Sequence, residues 1–205
     1  MATADVLTNQ QLLEQEYDST VREDIELFRT QAQAFLAGQL TADEFRPYRL
    51  RRGIYGQRQD GVQMIRTKIP GGLLTSGQMR QLAAVADQCA GGKGHLTTRQ
   101  NMQYHFVPLT QVPDALHLLA DCRLTTREAC YNTVRNVTAC PLAGIHAEEP
   151  FDVQPYARRL ALAFLHKELT DSLPRSSKSP SPDAPRIASQ PRSMTWVCAP
   201  SFAME

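Results

Sequence analysis

The sequence predicts an α+β fold, and three observations carry that prediction. Residues 61–69, GVQMIRTKI, alternate apolar and polar positions with the two-residue period of a half-buried strand. Met79, Leu82, Ala83, Ala86 and Cys89 instead recur at three- and four-residue steps, the period of a helix with one apolar face. Between residues 95 and 122, two short extended runs lead into a second helical repeat, so strands and helices are interleaved within one stretch. With 205 residues, 42% of them hydrophobic, the chain can bury a genuine core.

In chain order, residues 1–15 are polar and are expected to be mobile. From Ser19 to Ala37, Val21, Ile25, Phe28, Ala32, Phe35 and Leu36 trace an apolar helical face. Thr41 with Glu44 three residues on forms a capping-box pattern, but Pro47 limits the expected helix to about one turn. The strand at 61–69, with Val62, Met64 and Arg66 on one face and Ile65 on the other, ends at Pro70-Gly71-Gly72. Ser76 is the expected N-cap of the next helix, and Gly91, Gly92 and Gly94 stop it. HLTTRQ (95–100) and MQYHFVPL (102–109) read as strands. VPDALHLLADC (112–122) reads as a helix with Ala115, Leu118 and Leu119 inward. The order β-α-β-β-α is that of a ferredoxin-like unit. NVTACPLAGI (136–145) is extended or looping, residues 153–169 are again amphipathic, and periodicity stops from Ser176.

Composition narrows the function classes. Twenty-two Lys and Arg against 21 Asp and Glu leave a formal charge of +1, with no global attraction to nucleic acid or to a membrane surface. No apolar run reaches the roughly 18 residues of a spanning helix, and the start lacks a basic and apolar leader. Five cysteines without a CxxC pair imply neither a disulfide framework nor a zinc site, and a reducing cytoplasm is the expected compartment.

Arginines are the main candidates for chemistry. Arg66 lies inside a strand, Arg99 at a strand edge, and Arg135 opens the loop before Cys140. Guanidinium forks grip oxyanions and carboxylates through paired, charge-assisted hydrogen bonds, so such a trio could hold an anion; solvated strand-edge arginines are the plainer alternative. Arg46, Arg49, Arg51, Arg52 and Arg58 surround Tyr48 and Tyr55, a mixture that fits a single-stranded nucleic-acid groove or a solvated basic arm. His105 alternates with Gln103 and could reach a site. His95, His117, His146 and His166 are scattered, and no histidine or cysteine has metal-ligand spacing, so no metal site is expected on this chain.

Four stretches taken in order, RRGIYGQRQ, MIRTKIPGGLLTSGQMRQLAAVA, LTTRQNMQYHFVPL and VRNVTACPLAGI, resemble the N-terminal part of siroheme-dependent nitrite and sulfite reductases over residues 49–175. After an N-terminal helical arm at 1–48, the resemblance implies a ferredoxin-like half-domain at 49–125 and an incomplete, siroheme-binding α+β half-domain at 126–175. It implies siroheme and a [4Fe-4S] cluster as cofactors, sulfite or nitrite as substrate, and an electron donor such as ferredoxin. Arg66 and Arg135 match the basic residues that contact substrate and siroheme. Thr97, Arg99, Asn101, Gln103 and His105 match its siroheme rim. The cluster cysteines would belong to a C-terminal half absent here, so the chain by itself is expected to be inactive.

The resemblance breaks at Arg175. The family continues after LPR with a Lys-Phe-Lys segment, whereas this chain has SSKSPSPDAPR. Codons can be chosen for that stretch which, read one base earlier, give Lys-Phe-Lys-Val-Ala-Phe-Ser-Gly-Cys-Pro-Glu. Residues 176–205 are therefore expected to be an out-of-frame, disordered tail. The rival readings are a ferredoxin-like module that binds single-stranded nucleic acid, and an assembly subunit of a split reductase.

Overall fold

The computed structural model describes residues 20–145, 151–165 and 173. The polar start, the end of the helix expected to reach Leu169 and the tail at 176–205 lie outside the described residues.

Helix α1 (20–36) buries Val21, Ile25, Phe28 and Ala32, while Leu36 stays exposed. Helix α2 (Ala42–Arg51) begins at a complete capping box: the Thr41 hydroxyl accepts from Glu44 N at 3.3 Å, and the Glu44 carboxylate accepts from Thr41 N at 2.9 Å. Contrary to the one-turn expectation, α2 continues through Pro47. An internal proline costs about 3 kcal/mol. Burial of Phe45 and Leu50, together with stacking of Phe45 on Phe35 at 4.7 Å, opposes that cost.

Residues 46–59 are also not a free basic arm. They form the end of α2, a tight turn and an unanticipated strand, β1 (Ile54–Gly56), whose Ile54 is fully buried opposite Ile65. The turn needs Gly53: its φ is +75°, and a Cβ there would lie 2.3 Å from the Thr126 carbonyl oxygen. Arg52 is buried, donating to Asp24 Oδ1 at 2.6 Å and to the Tyr48 carbonyl at 3.0 Å.

Strands β2 (Val62–Arg66), β3 (His95–Leu96) and β4 (Met102–Pro108) complete an antiparallel sheet of order β1-β2-β4-β3. The unit is α+β with the expected alternation of strands and helices. Ile54, Ile65, Tyr104 and Val107 share one core with Leu82 and Val85 of α3 (Ser76–Cys89), with Val112, Leu116 and Leu119 of α4 (Val112–Asp121), and with α1. The phase and cap of α3 differ from expectation. Thr75, not Ser76, caps it, in a second capping box with Gln78; Val85 is buried, whereas Met79 and Ala83 face outward. Packing against α4 selects the buried stripe among several similarly spaced apolar residues. HLTTRQ contributes only two strand residues, because Thr97 Oγ1 accepts from Arg99 N and Asn101 N and turns the chain.

Beyond β2, Lys68 and Glu128 form a 2.6 Å ion pair, their side chains 2% and 0% exposed. Lys68 N also donates to the Thr125 carbonyl at 2.7 Å. A smaller cluster of Val137, Ala139, Ala157 and Ala161 joins the extended 136–140 segment to α5 (Gln154–Phe164). Lys68→Ala leaves the Glu128 carboxylate buried beside a lost cation and is expected to destabilise the fold by about 3–5 kcal/mol. Urea unfolding should show the loss, and replacing both partners by apolar residues should cost less than this single change.

Candidate functional site

Strand alternation sorts the sheet into an apolar face under the helices and a polar face opposite. Ile65 pairs with Tyr104 on the first; Arg66 pairs with Gln103, and Gln103 with His95, on the second. With its amide oriented so that Oε1 faces the guanidinium, Gln103 accepts from both Nη2 and Nε of Arg66. The Arg66 guanidinium also lies 5.8 Å from the Tyr55 ring centroid. A bulge between Gln63 and Ile65 and the positive φ of Phe106 (60°) interrupt the β2/β4 register close to His105.

The loop 125–135 covers part of this polar face. Thr133 Oγ1 donates to the carbonyls of Glu128 at 3.0 Å and Cys130 at 2.8 Å, and Glu128 N donates to the Arg51 carbonyl at 2.8 Å. The fastened loop brings in Cys130, fully buried, and Arg135, 7% exposed. Burial, and after it the neighbouring Arg66, disfavours the charge on Arg135; burial followed by Arg135 and Arg66 does the same at Arg99. Arg66, Arg99 and Arg135 thus converge closely enough to repel one another. None of the three has a carboxylate partner among the described residues, in contrast to Arg52 and Arg127, which share Asp24.

Arg99 is held by donating from Nη2 to the Asn136 carbonyl at 2.9 Å, while Asn136 Nδ2 donates to the carbonyls of Ile69 at 2.8 Å and Arg99 at 3.0 Å. Two of the predicted site residues bond to the backbone around the 97–101 turn. Thr97 is engaged in its own turn, and Asn101, 3% exposed, accepts from Ile69 N at 2.9 Å. His105 lies on the polar face, its ring 6.2 Å from that of His95, and burial followed by His95 and Arg66 lowers its pKa. Residue spacing gave no hint of Cys130 and grouped Tyr55 with the basic run 46–59, not with Arg66, because the contacts that place them span the sheet and the 125–135 loop.

Two pockets lie elsewhere: one of about 20 Å³ between α1 and the Thr125–Arg127 segment, and an open one of about 320 Å³ beside Cys89 and His117. Neither is lined by these arginines. The four cysteines among the described residues are free thiols, and no group of three or more His, Cys, Asp or Glu side chains there could hold a metal. No helix among the described residues is long and apolar enough to cross a membrane.

Burial pushes the Cys130 thiol up to about 11, against the opposing pull of Arg66, Arg135, a Tyr55 hydrogen bond and Arg49. The native state therefore keeps this proton while the unfolded chain releases it near the ordinary 9.0. Stability present below that value is lost as pH rises through about 11. Urea unfolding of the wild type and Cys130→Ala at about pH 8 and about pH 10.5 should show a smaller alkaline loss for the variant.

Residues 55–122 match the family described as the nitrite/sulfite reductase ferredoxin-like half domain. A ferredoxin–nitrite reductase of Leptolyngbya laminosa is 38% identical over 49% of this chain and 20% of its own length, and the chloroplastic ferredoxin–nitrite reductase of Arabidopsis thaliana is 40% identical over 53% and 19%. A sulfite reductase [ferredoxin] of Mycobacterium tuberculosis is 28% identical over 62% of the chain and 26% of its own length. The matched region thus spans about a fifth to a quarter of these relatives. The solved structure of the Mycobacterium tuberculosis NirA protein shares the fold, with a TM-score of 0.65 at 24% identity over 78% of this chain and 33% of that one. Through residues 55–122 the chain is thus similar to the nitrite/sulfite reductases, in the region described as their ferredoxin-like half domain.

Proposed function

We propose that the chain forms the N-terminal, anion-binding part of a ferredoxin-dependent reductase that converts nitrite to ammonia or sulfite to sulfide, with residues 49–125 as the half-domain and 126–175 as the start of the siroheme-binding unit. The observation that carries this reading is the convergence of Arg66, Arg99 and Arg135, buried or half-buried and without carboxylates, on the polar face of the sheet.

Siroheme suits these residues. It carries many carboxylates, and a wall of permanently charged guanidinium groups supplies their counter-charge. Arg66 and Arg135 would hold substrate and the macrocycle, Arg99, Gln103 and His105 would line its rim, and Thr97 and Asn101 would position that rim through the 97–101 turn. When bound, siroheme together with a [4Fe-4S] cluster supplies the six-electron chemistry. The resemblance assigns the thiolates of the cluster to the rest of the enzyme.

Within this chain, Arg66 is fixed by Gln103 and by the Tyr55 ring, so its fork is oriented before any anion arrives. Mutual repulsion among the arginines favours an added anion over the empty face. The guanidinium groups bind and orient but do not release protons. Cys130, protonated near neutral pH, likewise adds no negative charge that would oppose the anion.

Titration of the 205-residue chain with siroheme, followed by absorption, is expected to give saturable binding that Arg135→Ala weakens roughly tenfold or more. Salt-dependent oligonucleotide binding by a folded chain that leaves the siroheme spectrum unchanged would instead favour the nucleic-acid module. The reading-frame assignment has its own check. Sequencing the source DNA through the Arg175 codon should reveal one gained or lost base, and an intact frame would discard that part of the proposal.

A further inference from the structure

Arg49, in the last turn of α2, lacks the partners that hold Arg52, the residue that caps this helix. Three residues further on, Arg52 is held by Asp24 Oδ1 and by the carbonyls of Asp24 and Tyr48. Arg49 is half-buried, its Nη1 is sealed from solvent without a hydrogen-bond partner, and it has no ion pair among the described residues. Isolated buried charge is disfavoured, so the fold gains nothing evident from this guanidinium.

The space around it is nevertheless kept open. A Cβ on Gly56 would lie 3.1 Å from Arg49 Nη2, 3.2 Å from Nη1 and 3.3 Å from Cζ, so the absence of a side chain at the end of β1 admits the guanidinium. Gly56 is not among the residues of positive φ, which leaves room, not backbone conformation, as the reason for glycine there. Arg49 also bears electrostatically on Cys130 and Tyr55, the two side chains that Arg66 and Arg135 flank.

We propose that Arg49 is a fourth anion-binding arginine of this face, which takes a carboxylate of the bound tetrapyrrole and is kept for that contact at no gain to stability. The inference rests on the reading of the face as a siroheme wall. It extends that wall from β2 and the 125–135 loop to the end of α2, and it makes Gly56 part of the site by the room it leaves.

The test is siroheme titration and thermal unfolding of the full chain carrying Arg49→Met, Gly56→Ala, Arg66→Ala or Arg135→Ala. Arg49→Met is expected to weaken siroheme binding roughly tenfold while its Tm stays at or above that of the wild type. Gly56→Ala, which keeps the charge but displaces it, should also weaken binding. If Arg66→Ala and Arg135→Ala weaken binding while Arg49→Met does not, Arg49 lies outside the site and the inference fails, although the face keeps its assignment. A clear fall in the Tm of Arg49→Met would make Arg49 structural and overturn the inference as well. If the folded wild type does not bind siroheme, or if no arginine variant changes its affinity, the reading of the whole face fails and this inference goes with it.

Discussion

The buried pair of Lys68 and Glu128 fixes the relation between the two parts of the arginine face. Lys68 follows β2, two residues after Arg66; Glu128 anchors the loop that carries Cys130 and Arg135. Neither side chain reaches solvent, so the ion pair compensates charge that is buried on both sides, and the backbone bond from Lys68 N to the Thr125 carbonyl sets the register in which they meet. Such a pair is weak support for net stability, because desolvation offsets most of the attraction. It favours this seating of the loop, since a seating that parts the two side chains leaves the ammonium of Lys68 buried without this carboxylate.

Around this fastening the electrostatics are one-sided. Carboxylates neutralise the arginines on the far side of α2, where Asp24 serves both Arg52 and Arg127. Across the polar face, Arg49, Arg66, Arg99 and Arg135 are left to neutral partners: an amide, a phenol ring, backbone carbonyls and a thiol that holds its proton. Repulsion among buried cations costs stability, and the neutral contacts only orient the groups. A surface organised in this way suits the anion proposed for it, and the chain is similar to nitrite and sulfite reductases in sequence.

The sheet and its helices were legible where periodicity was strong and local. GVQMIRTKI announced β2, and the spacing from Leu82 to Cys89 announced α3. Errors arose where a local rule met a tertiary contact. Pro47 reads as a stop until Phe45 and Leu50 are seen buried on either side of it, and RRGIYGQRQ reads as a basic arm until Ile54 is seen opposite Ile65. Within the candidate site, Arg66, Arg99, Arg135, Gln103 and His105 stand out as candidates from their motifs. The engagement of Thr97 and Asn101 in the backbone could not, because their partners are supplied by the fold of the 97–101 turn and the end of β2.

The sequence by itself determined the α+β class, the order of the strands and helices after Gly61, and the identity of the charged residues, since period, capping chemistry and side-chain type are properties of neighbours along the chain. Tertiary structure alone decided that Arg49, Tyr55 and Cys130 join Arg66 and Arg135, and which arginines keep a carboxylate. Those outcomes depend on contacts between residues as far apart as Tyr55 and Arg135, whose proximity follows from the β1/β2 register and from one buried ion pair, not from any spacing in the chain.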